Sequence, residues 1–261
     1  FLIILFKSVY KNIFIVYRSH SIEFEIRKRN SFFFIKILTK FFENYVIKKS
    51  NISTSVSKLE KKLFYRYYNK ETYLFPNSIN LKNLRSVKLK KINNIPKKFI
   101  LFCGSYDYKP NKLAIDFIIK DILPSLENEQ IYLVLTGNHK KSFNNKFILN
   151  LGFVKKTELK YLHKKSICLF TPITEGYGTR IKILEALAWN NRVISTTKGI
   201  EGIEYTNQKN IIVTNNKKKM IKSIIKLVKK QKTKYLDPKL NIVSMKHNAL
   251  TLFKVIQKKY V

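Results

Sequence analysis

Short apolar runs alternate with helical patterns through the last two-thirds of this chain. FILFCG (99–104), IYLVLTG (131–137), FILNLGFV (147–154), ICLFTP (167–172), RVIST (192–196) and NIIVT (210–214) have the length and near-continuous hydrophobicity of strands buried on both faces. Between them, NKLAIDFIIKDILPSL (111–126), a short stretch around 158–165, the run ending near Trp189 and a basic amphipathic stretch at 217–230 place apolar residues at helical spacing. That alternation predicts parallel βαβ units in an α/β, doubly wound sheet. Ligands of such sheets bind at the carboxyl ends of the strands. Gly104-Ser105, Gly137-Asn138 and the glycine-rich turn after ICLFTP all fall at such ends.

That last turn is the most chemically loaded stretch. It runs Glu175-Gly176-Tyr177-Gly178-Thr179-Arg180-Ile181-Lys182-Ile183-Leu184-Glu185-Ala186. A helix N-terminus carries partial positive charge, so Arg180 and Lys182 beside it are unfavourable unless an anion sits in the turn. Gly176 and Gly178 let the backbone close on an anion, and the two cations neutralise it. Thr179, Lys182 and Glu185 share one strip of the helix, and a carboxylate beside a phosphate site suits sugar hydroxyls. The stretch reads as a holder for a nucleotide diphosphate. The plainer alternative is an ordinary turn followed by a surface Lys182–Glu185 pair at i,i+3.

The first 80 residues have the same grammar with fewer units. IFIVY (13–17) reads as a strand ending in Arg18-Ser19-His20, followed by a long apolar and basic helix at about 31–49. NISTSVS (51–57) is a strand, a helix runs to about Tyr68, and TYLFPN (72–77) follows. The Lys- and Asn-rich stretch with Pro96 reads as a linker. The expected boundaries are an N-terminal domain at 1–80, a linker at 81–97, a C-terminal domain at 98–235 and a helical segment at 236–261.

Composition narrows the function classes. With 261 residues and 45% apolar content, the chain supports one large or two small cores. Cys103 and Cys168 sit in apolar runs, so they read as buried strand residues in a reducing compartment, and no His or Cys pair has metal-ligand spacing. The net charge of +36 would suit nucleic acid or an anionic membrane surface. However, the lysines are spread evenly and accompany excess Asn, Ile, Phe and Tyr, a joint codon bias, and no nucleic-acid-binding motif appears. No specific nucleic-acid partner is expected. The opening FLIILFKSVYKNIFIVY is too interrupted for a transmembrane span. The 26–49 stretch reads first as a helix packed on its own domain. Its functional alternative is a peripheral contact with an anionic membrane.

Taken in order, these marks resemble a known family. FCGSYDYKPNKLAIDFIIKDILPSL is similar to the start of the C-terminal domain of group 1 (family 4) glycosyltransferases with the GT-B fold. LGFVKKTELKYLHKKSICLFTPITEGYGTRIKILEALAWNNRVISTTKGIEGI resembles their donor-binding half. YRSHSIEFEIRKR, ISTSVS and LFPNSIN resemble marks of the preceding domain, so the likeness covers roughly 13–204. It implies two Rossmann-like domains, the N-terminal one incomplete because the expected early glycine-rich loop is absent. It implies transfer of a sugar from a nucleotide-diphosphate sugar to a glycan or lipid-linked acceptor, with retention and without a metal. No cofactor is expected beyond the donor as co-substrate, and the expected location is cytoplasmic, at the inner face of the membrane. By motif position, Glu185 meets the ribose hydroxyls. Arg180 and Lys182 meet the diphosphate with the N–H groups of Gly178 and Thr179. Gly104, Gly176 and Tyr177 border the donor, Glu175 lies near the donor sugar, and main chain at Phe153 and Val154 borders the base. His20 projects from the N-terminal domain toward donor sugar and acceptor, with Glu23 supporting its loop. More residues separate Glu175 from Glu185 than in the family's common pattern. The alternatives are a catalytically silent fragment or sugar-nucleotide-binding module and, less favoured, a charge-driven nucleic-acid binder.

Overall fold

The structure is a computed structural model, and it describes residues 13–176, 178–203, 210–229 and 245–260. The apolar opening at 1–12 lies outside the described residues. These residues fall into two compact units. The first runs to Asn77 and includes Gly178 and Thr179; the second begins at Ser78.

In the first unit, β1 (Val16–Arg18), β2 (Ile52–Ser55) and β3 (Tyr73–Leu74) form a parallel sheet in that order. Val16 stands opposite Ile52, and Thr54 opposite Tyr73. Between β1 and β2 the chain makes two helices where one was expected: α1 (Glu23–Asn30) and α2 (Phe33–Lys49). Helix α3 (Lys58–Tyr68) follows β2 and is locally determined at both ends. The Ser57 hydroxyl accepts from the Glu60 N–H at 3.1 Å, Glu60 Oε2 accepts from the Val56 N–H, and Asn69 closes the helix at φ 47°. Ile22, Ile47, Phe64 and Tyr68 make this unit's core.

Helix α2 departs from the expectation that it packs its apolar residues on its own domain. Only Glu43 and Ile47 of α2 are buried, whereas Phe32 just ahead of it, Phe33 and Phe34 are 83%, 77% and 68% exposed. Its apolar residues outnumber the positions that one helix stripe can bury, so the surplus faces outward.

The second unit carries β4 (Phe99–Cys103), β5 (Tyr132–Thr136), β6 (Ile148–Asn150), β7 (Leu169–Thr171), β8 (Val193–Ser195) and β9 (Ile211–Val213). All pairings are parallel, in the order β6-β5-β4-β7-β8-β9. The chain grows outward from β4 to one edge, then returns to β7 and grows to the other. Such a reversal leaves a crevice at the carboxyl ends of β4 and β7.

Alternation along β4 divides the core between the two faces. Phe99, Leu101 and Cys103 join one cluster with Leu162, Leu184 and Leu187; Ile100 and Phe102 join the other with Ile115, Ile122 and Ile224. The helix expected at 111–126 begins as α5 (Lys109–Phe117), with Pro110 in its first turn. It widens into a π turn at Ile118–Ile122, then continues as α6 (Leu123–Glu127). Pro124 has no N–H and crowds the preceding turn, which accounts for the widening.

The stretch 81–97, read as a linker, belongs to the second unit. Helix α4 (Leu81–Ser86) is capped by the Asn80 side chain, buries Leu81 and Leu84, and receives the Trp189 indole N–H on the Leu84 carbonyl at 2.8 Å. Helices α7 (Lys156–Lys165), α8 (Ile181–Ala188), α9 (Lys217–Val228) and α10 (Met245–Tyr260) complete the described elements.

Candidate donor site

The crevice is built from two strand ends and one helix start. Gly104 follows β4 with φ 145°, and its N–H donates to the Thr136 carbonyl at 2.7 Å. A Cβ there would lie 2.6 Å from Asn111 Nδ2 and 2.7 Å from Lys182 Nζ, so only glycine lets these side chains reach the end of β4.

Lys182 comes from the first turn of α8. Its ammonium donates to Asn111 Oδ1 at 2.9 Å and lies 4.7 Å from the centroid of the Phe102 ring. Asn111 is itself fixed by donating to the Ser105 carbonyl at 2.9 Å. Among the described residues no carboxylate is within ion-pair reach of Lys182. Burial pulls its ammonium from 10.5 down to about 8, and the Arg180 charge acts in the same direction. Cys103, buried beside it, is pushed up to about 11 by burial.

Arg180 is the residue before α8 and is 9% exposed. Its Nη2 donates to the Glu175 carbonyl at 3.0 Å, which ties the guanidinium to the turn's main chain, and burial lowers its pKa. The Glu175 carboxylate turns elsewhere, to Lys109 at 3.6 Å. Gly176, at φ 91°, is closely walled: a Cβ would lie 3.1 Å from Pro110 Cγ and 3.3 Å from both Arg180 Nη2 and the Tyr108 hydroxyl. Helix α8 has no acidic residue in its first turn and no side-chain cap. Its N-terminal N–H groups and two cations thus converge where a diphosphate's charge would be met.

The second unit therefore brings together Gly104, Glu175, Gly176, Arg180 and Lys182. Glu185 is further along α8, and its carboxylate is paired with Lys156. Phe153 and Val154 follow β6; Phe153 is 89% exposed and Val154 packs on the core. Tyr177 lies outside the described residues. Thr179, grouped with the first unit, is buried, and its hydroxyl has no hydrogen-bond partner among the described residues. Also in the first unit, a Cβ on Gly178 would come within 3.1 Å of the His20 carbonyl oxygen.

His20 is exposed just after β1. The Glu23 carboxylate pairs with Arg27 at 3.5 Å, and the start of α1 is held by Glu43 on α2. Its two carboxylate oxygens accept the N–H groups of Glu23 and Phe24 at 2.9 and 3.1 Å, and the Tyr68 hydroxyl donates to it at 2.5 Å. Burial raises the Glu43 pKa, while these hydrogen bonds oppose the rise. Sequence reasoning also missed Asn111 and Lys156, because each meets its partner across a long stretch of chain. The one signal for Asn111 was its place in the Lys-Pro-Asn start of a helix that follows a strand end.

Strand order and the chain reversal between β4 and β7 define a Rossmann-like unit. The family model described as Glycosyl transferases group 1 matches residues 97–230, just over half of the chain, and the chain belongs to that family. It resembles, at 24% identity over 175 residues, an uncharacterized 44.6 kDa protein in the cps region of Klebsiella pneumoniae; the match covers 62% of this chain and 42% of that protein's length. Among solved structures, the Anabaena protein HepE in complex with UDP-glucose superposes with a TM-score of 0.68 at 12% identity, covering 98% of this chain and 76% of that one. Sucrose-phosphate synthase from Thermosynechococcus elongatus gives 0.63 at 14%, covering 93% and 67%. WaaG, a glycosyltransferase involved in lipopolysaccharide biosynthesis, gives 0.64 at 13%, covering 94% and 75%. These likenesses establish a shared glycosyltransferase fold.

Proposed function

We propose that the second unit binds a nucleotide-diphosphate sugar and that the protein transfers the sugar to a glycan or lipid-linked acceptor. The observation that carries this reading is Lys182, a cation drawn from water onto the end of β4 with an amide and a ring as its partners. Burying a charge that way is costly, and a bound diphosphate would offset the cost. In this reading Arg180, Lys182 and the N–H groups opening α8 stabilise the departing diphosphate without a bound metal. Glu185 accepts the ribose hydroxyls, main chain at Phe153 and Val154 borders the base, and Glu175 lies near the donor sugar. His20 serves the acceptor side. The family resemblance supports retention of configuration. The UDP-glucose complex of HepE supports a nucleotide sugar as donor. The cps-region relative and the role printed for WaaG support a cell-envelope glycan, made on the cytoplasmic side of the membrane, as the product. The exposed phenylalanines at the start of α2, next to Lys36 and Lys40, support peripheral contact with an anionic membrane. No described helix is long and apolar enough to cross a membrane.

The test is transfer from a panel of labelled nucleotide sugars to a bacterial lipid and glycan extract. The reading requires one donor to be consumed with release of its nucleoside diphosphate, and requires Arg180→Ala and Lys182→Ala to abolish that turnover. Turnover that survives both substitutions would contradict it.

A further inference from the structure

Glu185 already has a partner. Its Oε1 accepts from the Lys156 ammonium, while Oε2 makes no hydrogen bond to a described residue. Lys156 opens α7, and its ammonium also lies 5.3 Å from the centroid of the Trp189 ring. That ring is immobilised: its N–H donates to the Leu84 carbonyl at 2.8 Å, and the buried His163 packs against it at 5.1 Å. The cation is thus held between a fixed aromatic wall and the carboxylate. Both charged groups line an open groove of about 290 Å³ with Asn80, Asn83 and Leu84, so a solute can reach the carboxylate.

We propose that Lys156 is a positioning residue for the donor nucleotide: by holding Oε1 of Glu185, it presents Oε2 to the ribose hydroxyls. This rests on the reading of Glu185 as the ribose partner. A glutamate side chain samples several rotamers, and fixing one oxygen beforehand removes that entropy cost from ligand binding. A carboxylate has acceptor capacity on both oxygens, so engaging Oε1 leaves Oε2 able to accept from a hydroxyl. The Lys156 side chain is open to solvent, which screens the pair's contribution to folding, so its main effect belongs in binding.

Lys156→Met keeps the aliphatic stem on Trp189 and removes the charge; Lys156→Arg restores it. Each is titrated calorimetrically with the nucleoside diphosphate that wild type binds and with its 2′,3′-dideoxy counterpart. Lys156→Met weakens the ribose-containing ligand on the order of tenfold and leaves the dideoxy ligand nearly unchanged. Lys156→Arg recovers most of the loss, the unliganded thermal midpoint stays put, and Lys156→Met adds nothing to Glu185→Gln. Equal loss for both ligands, no loss, or tighter binding would overturn the proposal. If wild type binds no nucleoside diphosphate, or Glu185→Gln weakens both ligands alike, the ribose reading of Glu185 fails first and takes this proposal with it.

Discussion

Lys182 sets stability against binding. Its folded pKa of about 8 lies below the usual 10.5, so between those values the unfolded chain holds a proton that the folded chain lacks. Folding therefore gains stability from this residue as pH rises through that window, and the charged lysine costs stability below it. Lys182→Met is expected to raise the thermal midpoint at pH 7 by a few degrees, about 1 kcal/mol. The gain shrinks as pH climbs from 8 toward 10.5. Differential scanning calorimetry across that range checks both the sign and the window. Nucleotide affinity moves the other way: wild type loses affinity as pH rises through about 8, and Lys182→Arg removes the loss. Gly104→Ala tests the crevice from the opposite wall. A Cβ there meets the side-chain ends of Asn111 and Lys182 at 2.6 and 2.7 Å in a backbone region that favours glycine, so unfolding titrations should show a loss of roughly 1–3 kcal/mol. At this scale the cations were legible in the sequence because charge of the wrong sign at a helix start is conspicuous. Asn111 and Lys156 were not, since nothing near them in the chain announces the partner that folding brings.

Among the elements, α2 carries the clearest test. Its exposed phenylalanines leave apolar area that a membrane interface would cover, and its lysines suit anionic headgroups. Sedimentation with phosphatidylglycerol vesicles should pull the protein down far better than with phosphatidylcholine alone. A Phe33→Ser, Phe34→Ser variant, altered only at exposed positions, should bind on the order of tenfold more weakly. Equal binding to neutral vesicles, or an unaffected variant, counts against membrane contact. The strands β4, β5, β7 and β8 were readable because central parallel strands are apolar on both faces, whatever their context. The short helix α4 was not. Its Asn, Lys and Ser residues match loop composition, and what makes it an element is the Trp189 indole docked on its Leu84 carbonyl. The break between α1 and α2 was hidden for a similar reason. Only Asn30-Ser31 marks it among the apolar and basic residues on either side, and the separate α1 is held by Glu43 capping from α2.

For the molecule as a whole, the α/β class and the parallel, doubly wound sheet were legible in the sequence, while the strand order β6-β5-β4-β7-β8-β9 came from the structure. The first compact unit ends at Asn77, and α4 goes with the second because Trp189 and the core around it bury Leu81 and Leu84. Everything proposed about chemistry depends on the reversal point between β4 and β7 being a diphosphate site. Calorimetric titration of UDP, GDP and ADP into wild type and Lys182→Ala addresses that directly. Saturable binding of one of these nucleotides by wild type, lost in a Lys182→Ala protein that melts normally, is the expected result. Binding of none of the three, or equal binding by both proteins, would contradict it.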